Sequence, residues 1–476
     1  MDKRDTGEKT ANSDVLIFWG TGRIGMQMLQ LFSLHGLQPE YFCDSDASKQ
    51  GTKVGDIYVI PPSKISEIRN VVLVATLSCP NDIRSILCDL HIEIKCFIDG
   101  SSIYSIGLIT LLYQHNKNRL KTGINKIYRQ KSVFDFTYGM ELGGVQTWCY
   151  DQSTVMKNMD ILVRYIMPDN RLYCHDENVD VITGNKVSIC DNRIDSYVKY
   201  FLATDAKYII INFPREIMIA ACVVKKLYKP GLYIVAIIHN DEAIYYKTYY
   251  DNADLIDVWG VISEETEKKV KALGIEEERI HRFNWKAKVA YSQREDKRLR
   301  IGYAGRIVIP AKRIDYILDV AEILKNKQMD YLLQVAGTGE SEEYLIEEIE
   351  KRGLEKNVEF LGLVNHEMIF EFWKKQHIYL ACSDHEGHSI SQFEAMSVGA
   401  VPVVTDTSGA RDDIADGENG FVLPLGAIND IAEKVEYLDE HRDILEVMSK
   451  RCVDTIAKKS DNVDELNDWK QVLGIL

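Results

Sequence analysis

Short runs rich in valine, isoleucine and aromatic residues alternate with helical patterns over almost the whole chain, and this alternation most constrains the fold. Parallel strands need a crossover between them, usually a helix, so repeated strand–helix units imply α/β layers on parallel sheets. Three blocks separate. The first covers 14–100, after a charged tail at 1–13, with strands expected at Val15–Trp19, Tyr41–Cys43 and Val71–Ala75. A linker helix is expected over 101–130. The second block, 131–297, carries strand-like runs that begin at Val133, Tyr208, Tyr233 and Asp257. The charged segment Gln293–Arg300 reads as a hinge, and Ile301 opens the third block, 298–458. At 476 residues the chain exceeds what one core accommodates, which agrees with several domains.

Charge narrows the function classes. A net charge of -15 gives no electrostatic footprint for nucleic acid and opposes broad adsorption to anionic membranes. The ten cysteines form no C-x-x-C and no zinc-type cluster with histidine, which points to free thiols in a reducing, cytoplasmic compartment. The N-terminus has no apolar signal region. The uncharged run from Gly100 to Asn116 falls short of the ~18 apolar residues of a membrane span and fits the linker helix better.

Chemistry concentrates near the C-terminus. Glu386 and Glu394 stand eight residues apart, after the strand-like run His377–Cys382 and before Gly399. Ser389 with Gln392 has the spacing of a capping box, so Glu386 is expected at a strand's carboxyl end and Glu394 in the helix that follows. That edge of a parallel sheet is where ligands bind, and the free N–H groups of a helix start suit a phosphate. Arg306 follows Gly305 at the end of another strand, and Lys312 lies six positions on, where an amphipathic helix begins. A guanidinium fork and a compact ammonium together suit a diphosphate. Gly337 and Gly339 after the next strand, and Gly143 and Gly144 in the second block, allow close backbone approach to a ligand. His239 ends a strand where its imidazole would face a cleft. A retaining glycosidase would also use two carboxylates, but it has no need of the Arg306 and Lys312 pair.

The third block resembles the C-terminal half of the retaining glycosyltransferases of family 4. The likeness rests on Gly305-Arg306 with Lys312, the Ala336-Gly-Thr-Gly339 loop, Glu386-x7-Glu394-Ala-Met, Gly399-Ala-Val-Pro-Val-Val and Asp416-Gly-Glu-Asn-Gly420. The second block is similar to the partner half through Gly143-Gly144, His239 and Val261–Glu264. The resemblance implies a GT-B fold of the α/β class: two Rossmann-like parallel-sheet domains facing a cleft, here preceded by a third, small Rossmann-like domain. Residues 459–476 would form a C-terminal helix crossing back to the first of the pair. It further implies transfer of a sugar from a nucleotide-sugar donor to a glycan, lipid-linked or other hydroxyl acceptor, in polysaccharide or glycoconjugate synthesis and with retained configuration. No cofactor or metal is required, and a lipid-linked acceptor would bring the protein to the inner face of a membrane. By the same likeness Arg306 and Lys312 hold the diphosphate, helped by backbone N–H groups of His388, Ser389 and Ile390. Glu394 takes the ribose, while Glu386 and Gly387 meet the donor sugar. Gly143 and Gly144 close over the phosphates or admit the acceptor, Gly362 to Val364 line the base, and His239 reaches the sugar. The chain departs from the family pattern at His388 and Ser389 and in Ala410-Arg-Asp-Asp-Ile414, which bears on the choice of sugar.

Gly20-Thr-Gly22-Arg-Ile-Gly25, with Asp44 ending the next strand, has the context of a dinucleotide fingerprint. It supports an alternative: an NAD(P)-dependent oxidoreductase, or a nucleotide-sensing protein, with a non-catalytic transferase module. Against this, the first block shows no Tyr-x-x-x-Lys for hydride chemistry. Asp44-Ser-Asp46 reads as a turn rather than a metal site.

Overall fold

The computed structural model describes residues 14–34, 36–76, 80–99, 110–111, 113–114, 132–136, 144–167, 179–181, 191–204, 207–214, 216–294 and 296–475. The expected tail, most of the expected linker helix and Gly143 lie outside these residues. Two compact units emerge, one of 1–130 with 182–206 and 215–232, the other of 131–181 with 207–214 and 233–476. The helices Asp191–Ala203 and Glu216–Leu227, expected within the 131–297 block, thus group with the N-terminal residues.

In the first unit, β1 (Val15–Trp19), β2 (Tyr41–Cys43), β3 (Lys53–Val54), β4 (Ile57–Ile60), β5 (Val71–Ala75) and β6 (Cys96–Asp99) form a sheet in the order β3-β4-β2-β1-β5-β6. All its pairs are parallel except the β3–β4 hairpin. Strand alternation splits the core between the two faces. Ile17 and Trp19 join Leu73, Ile83 and Leu87 on one side, while Phe18 meets Phe32 and Phe42 edge to face on the other.

The second unit holds two parallel sheets. One comprises β7 (Ser132–Phe136), β8 (Leu162–Met167), β9 (Val179–Val181), β10 (Tyr208–Ile211), β11 (Tyr233–Ile238), β12 (Val258–Val261) and β13 (Ile280–Arg282), in the order β13-β12-β11-β10-β7-β8-β9. The other comprises β14 (Leu299–Ala304), β15 (Tyr331–Ala336), β16 (Val358–Gly362), β17 (Ile378–Ala381), β18 (Val401–Thr405) and β19 (Phe421–Leu423), in the order β16-β15-β14-β17-β18-β19. Here the order reverses between β14 and β17, whose carboxyl ends carry Arg306 with Lys312 and Glu386 respectively. A topological switch point is where open α/β sheets bind ligands, and it brings these residues together although about 75 positions separate them.

The helices follow from sequence as directly. Ile314, Ile317, Leu318, Ala321 and Leu324 are all buried along the helix Ile314–Asn326, as their spacing requires. The helix Ile390–Ser397 is capped by Ser389, whose hydroxyl accepts from the Gln392 N–H, and Gly399 ends it at φ 88°. The reciprocal half of the expected capping box is not made, because Gln392 turns its amide to Ala410 and Asp413.

After the long helix Arg442–Asp461 the chain crosses to the seven-stranded half, where the helix Glu465–Val472 lies against the helix Gly144–Lys157. Fully buried Trp469 packs beside Trp148 and Phe283, and its indole N–H donates to Gln152 Oε1 at 2.6 Å.

Candidate functional site

The loops after β14 and β17 are tied to each other. Lys312 Nζ pairs with Glu386 Oε1, and Ser383 Oγ donates to the same oxygen at 2.9 Å. Arg313, held at φ 51°, reaches Asp384 at 3.1 Å and Asp315 at 2.7 Å, while the Asp384 N–H donates to Ala311 O. Arg306 is exposed, and among the described residues its guanidinium meets no hydrogen-bond or ion-pair partner. The site therefore offers one free guanidinium and one ammonium held by a carboxylate, arranged beside the start of the helix Ile390–Ser397. An anion entering there would compete with Glu386 for Lys312.

Three glycines line the neighbouring strand ends. A Cβ on Gly337 would sit 1.8 Å from Gly305 O, and the Gly337 N–H donates to Gly362 O at 2.8 Å. Gly337, at φ 136°, has no room for a side chain, whereas Gly362, at φ 63°, faces open space and would be strained rather than blocked by one. Val364, just beyond, is half-buried against the core.

The facing sheet completes the arrangement. His239 follows β11, is buried, and donates from Nε2 to Asn212 Oδ1 at 2.6 Å, with Trp148 against its ring at 4.9 Å. Burial holds its pKa down at about 3, so the imidazole is neutral and Nδ1 remains an acceptor. The halves touch at this point, for a Cβ on Gly387 would lie 2.1 Å from His239 O. Ile390 lies across from Gly144 in the same way. The seam continues where Ser263 Oγ meets Ser408 Oγ at 3.0 Å and Asp412 accepts from the Glu264 N–H at 2.9 Å.

Glu394 is half-buried, and burial raises its pKa to about 7, aided by the charge of Asp151 and opposed by the Trp373 indole. The side chains of His388 and Ser389, expected to bear on the sugar, are occupied otherwise. His388 Nε2 bonds Asp413 Oδ2 at 2.6 Å and its ring lies on Trp285, while Ser389 Oγ meets Tyr379 OH at 3.1 Å.

Residues 286–452 match the family Glycosyl transferases group 1. Among solved structures, Staphylococcus aureus TarM aligns with a TM-score of 0.58 at 15% identity, over 73% of this chain and 99% of that one. Anabaena HepE in complex with UDP and glucose aligns with a TM-score of 0.60 at 15% identity, over 73% and 100%. The fold is GT-B. Among curated proteins, the GT-B chain is 28% identical to the poly(ribitol-phosphate) alpha-N-acetylglucosaminyltransferase of S. aureus over 36% of its own length and 34% of that protein's. It is 27% identical to the S. aureus capsular polysaccharide biosynthesis glycosyltransferase CapM over 37% and 46%. The chain thus spans about a third to a half of these relatives' lengths.

In the first unit, Gly20, Gly22, Gly25 and Asp44 do come together, and each is engaged in the fold, Gly22 through its carbonyl, which accepts from the Met26 N–H at 3.0 Å. Gly20 has φ 116°, and a Cβ on Gly25 would sit 2.1 Å from Gly20 O. Asp44 Oδ2 accepts from Thr21 N at 3.1 Å, Thr21 Oγ1 at 2.6 Å and Lys49 Nζ at 3.2 Å, and Oδ1 accepts from Asp46 N at 3.0 Å. Burial would raise this carboxyl, yet the bonds from Thr21, Asp46 and Lys49 outweigh it and lower the pKa. The carboxylate that would read a ribose in a dinucleotide site is latched onto the glycine turn, so the residues present fit NAD(P) poorly.

Sequence reasoning passed over Arg313, Ser383, Asp384, Asn212 and Trp148, and it marked Asp413 only as part of the Ala410–Ile414 segment. Arg313 adjoins Lys312 and Asp384 stands two positions before Glu386, which was a usable signal. Asn212 and Trp148 acquire their meaning only from strand order.

Proposed function

We propose that the protein transfers a sugar from a uridine-diphosphate sugar to a hydroxyl of a surface glycan or its lipid-linked precursor, with retention of anomeric configuration. The observation that carries this reading is the Arg306, Lys312 and Glu386 group at one switch point, opposed across the halves by neutral His239. The UDP in the HepE structure and the relatives named for poly(ribitol-phosphate) and capsular polysaccharide support the donor and acceptor classes.

As the glycosidic bond to the diphosphate breaks, negative charge grows on the departing oxygen and positive charge on the ring. Arg306, Lys312 and the N–H groups of His388 to Ile390 stabilise the first, at about 1.5 to 3 kcal/mol for each charge-assisted contact. Phosphate binding to Lys312 frees Glu386 to accept from sugar hydroxyls. Glu394 accepts from the ribose hydroxyls, and Gly362 to Val364 line the uracil. The acceptor oxygen attacks from the face the diphosphate leaves, and a phosphate oxygen takes its proton. No metal enters this scheme.

The decisive experiment is a thermal-shift panel of sugar nucleotides with NAD and NADP, repeated on Lys312→Ala and Glu394→Ala, followed by NMR of the anomeric proton in the product. Stabilisation by a UDP-sugar that both variants lose is expected. Stabilisation by NAD alone, or an inverted product, would overturn the proposal.

A further inference from the structure

Asp413 has no exposed side-chain area, yet three donors converge on it. His388 Nε2 at 2.6 Å and Gln392 Nε2 at 3.1 Å bind Oδ2, and Lys459 Nζ at 2.6 Å binds Oδ1. Burial alone would raise this carboxyl, but His388 and Lys459 outweigh it and bring its pKa down to about 2. The pair is a buried, charge-assisted contact whose loss would leave a desolvated carboxylate short of a donor.

Its location gives it a direction. Asp413 ends the short segment Ser408–Asp413, and the outer side of that segment meets the facing half through Ser408 with Ser263 and Asp412 with the Glu264 N–H. Inward, Asp413 grips His388, one residue from Gly387 and two from Glu386. A Cβ on Gly409 would lie 2.5 Å from Gly387 O, so the same segment also backs the turn itself. The His388 ring rests on Trp285, in the stretch of chain that joins the two halves, with centroids 4.5 Å apart. One imidazole therefore touches the seam segment, the joining segment and the donor turn.

We propose that His388 is a positioning residue: its bond to Asp413 transmits contact between the halves to the Glu386–Gly387 turn, so that closure seats the turn against His239. This rests on the donor site proposed above. On the opposite side the turn is held by Lys312 and Arg313, which belong to the same half and carry no information about closure. Removing the His388 bond leaves donor binding largely in place and misplaces the sugar-facing carboxylate. That pattern separates positioning from ligand contact.

The test compares His388→Phe, which keeps a ring on Trp285 but has no N–H, with His388→Gln, whose amide can replace Nε2. Hydrogen–deuterium exchange over 385–394 is measured without ligand, and kcat and KM are measured as UDP released from the sugar nucleotide selected by the panel. His388→Phe is expected to speed exchange in that segment and lower kcat about 10- to 100-fold with KM within about threefold. His388→Gln is expected to restore both. Wild-type exchange in His388→Phe, a loss confined to KM, or a glutamine variant as impaired as the phenylalanine one would overturn the proposal. Should the phenylalanine variant not fold, His388→Asn, too short to reach Asp413, takes its place. Should no sugar nucleotide be turned over, the donor reading fails while the exchange comparison still decides this one.

Discussion

Replacing Gly387 with alanine isolates the contact between the two sheets. The added methyl would lie 2.1 Å from His239 O and 2.8 Å from Ile262 Cδ1. A close C–H···O contact needs roughly 3.3 Å, so the turn and the β11 end must part by about 1 Å. The obstacle is backbone, which cannot swing aside as a flexible side chain would. Overpacking of this kind costs about 1 to 3 kcal/mol if the halves stay closed, and less if they separate. Either way the carboxylate of Glu386 moves relative to His239, and a misplacement of that size lowers transfer on the order of 100-fold. UDP release at saturating donor, paired with a melting curve, reads both quantities. Gly387→Ala with wild-type kcat and an unchanged melting temperature would refute the claim that the halves meet there during catalysis.

Glu394→Gln should stabilise the ligand-free protein and abolish stabilisation by UDP. A carboxyl raised from 4.5 to about 7 binds its proton more tightly when folded, so its contribution to stability falls as pH rises through that window. Above pH 7 the substitution relieves up to about 3 kcal/mol, and a pH–stability profile unchanged by it would contradict the assignment. Trp469→Ala removes a fully buried indole and leaves Gln152 Oε1 without its donor, which should cost about 3 to 5 kcal/mol in urea unfolding. Under about 1 kcal/mol would mean that the last helix does not dock on Gly144–Lys157. NAD and NADP should each shift the melting temperature by less than about 1 °C, because Asp44 is already saturated with donors, and a dose-dependent rise would show that the latch yields to a ligand.

Much of the fold was legible because hydrophobic periodicity is local. The strands Val15–Trp19, Tyr41–Cys43 and Val71–Ala75 fall where their apolar runs lie, and the buried stripe of Ile314–Asn326 follows from spacing alone. The proximity of Lys312 to Glu386 was also legible, since both follow strands of one parallel sheet. What escaped depends on long-range pairing. Gln392 carries the spacing of a capping glutamine, but a buried carboxylate 21 residues away competes for its amide. His388 sits where its backbone suggests a ligand, yet its ring is drawn to Asp413, a partner that no periodicity announces. Asp44 has the position of a ribose acceptor, and only the Thr21 hydroxyl, placed by the folded glycine turn, shows how it is used instead. Local pattern thus located the site, whereas competition for its polar groups emerged only in three dimensions.

The return of the chain to the seven-stranded half has a mechanical consequence. The polypeptide passes between the two sheets twice, at 284–298 and again after Asp461, and the passages run side by side where the Ala287 N–H donates to Ser460 Oγ at 3.1 Å. One strand of chain would let the halves swivel freely. Two adjacent passages resist twisting more than one would, so any separation of Gly387 from His239 must bend both together.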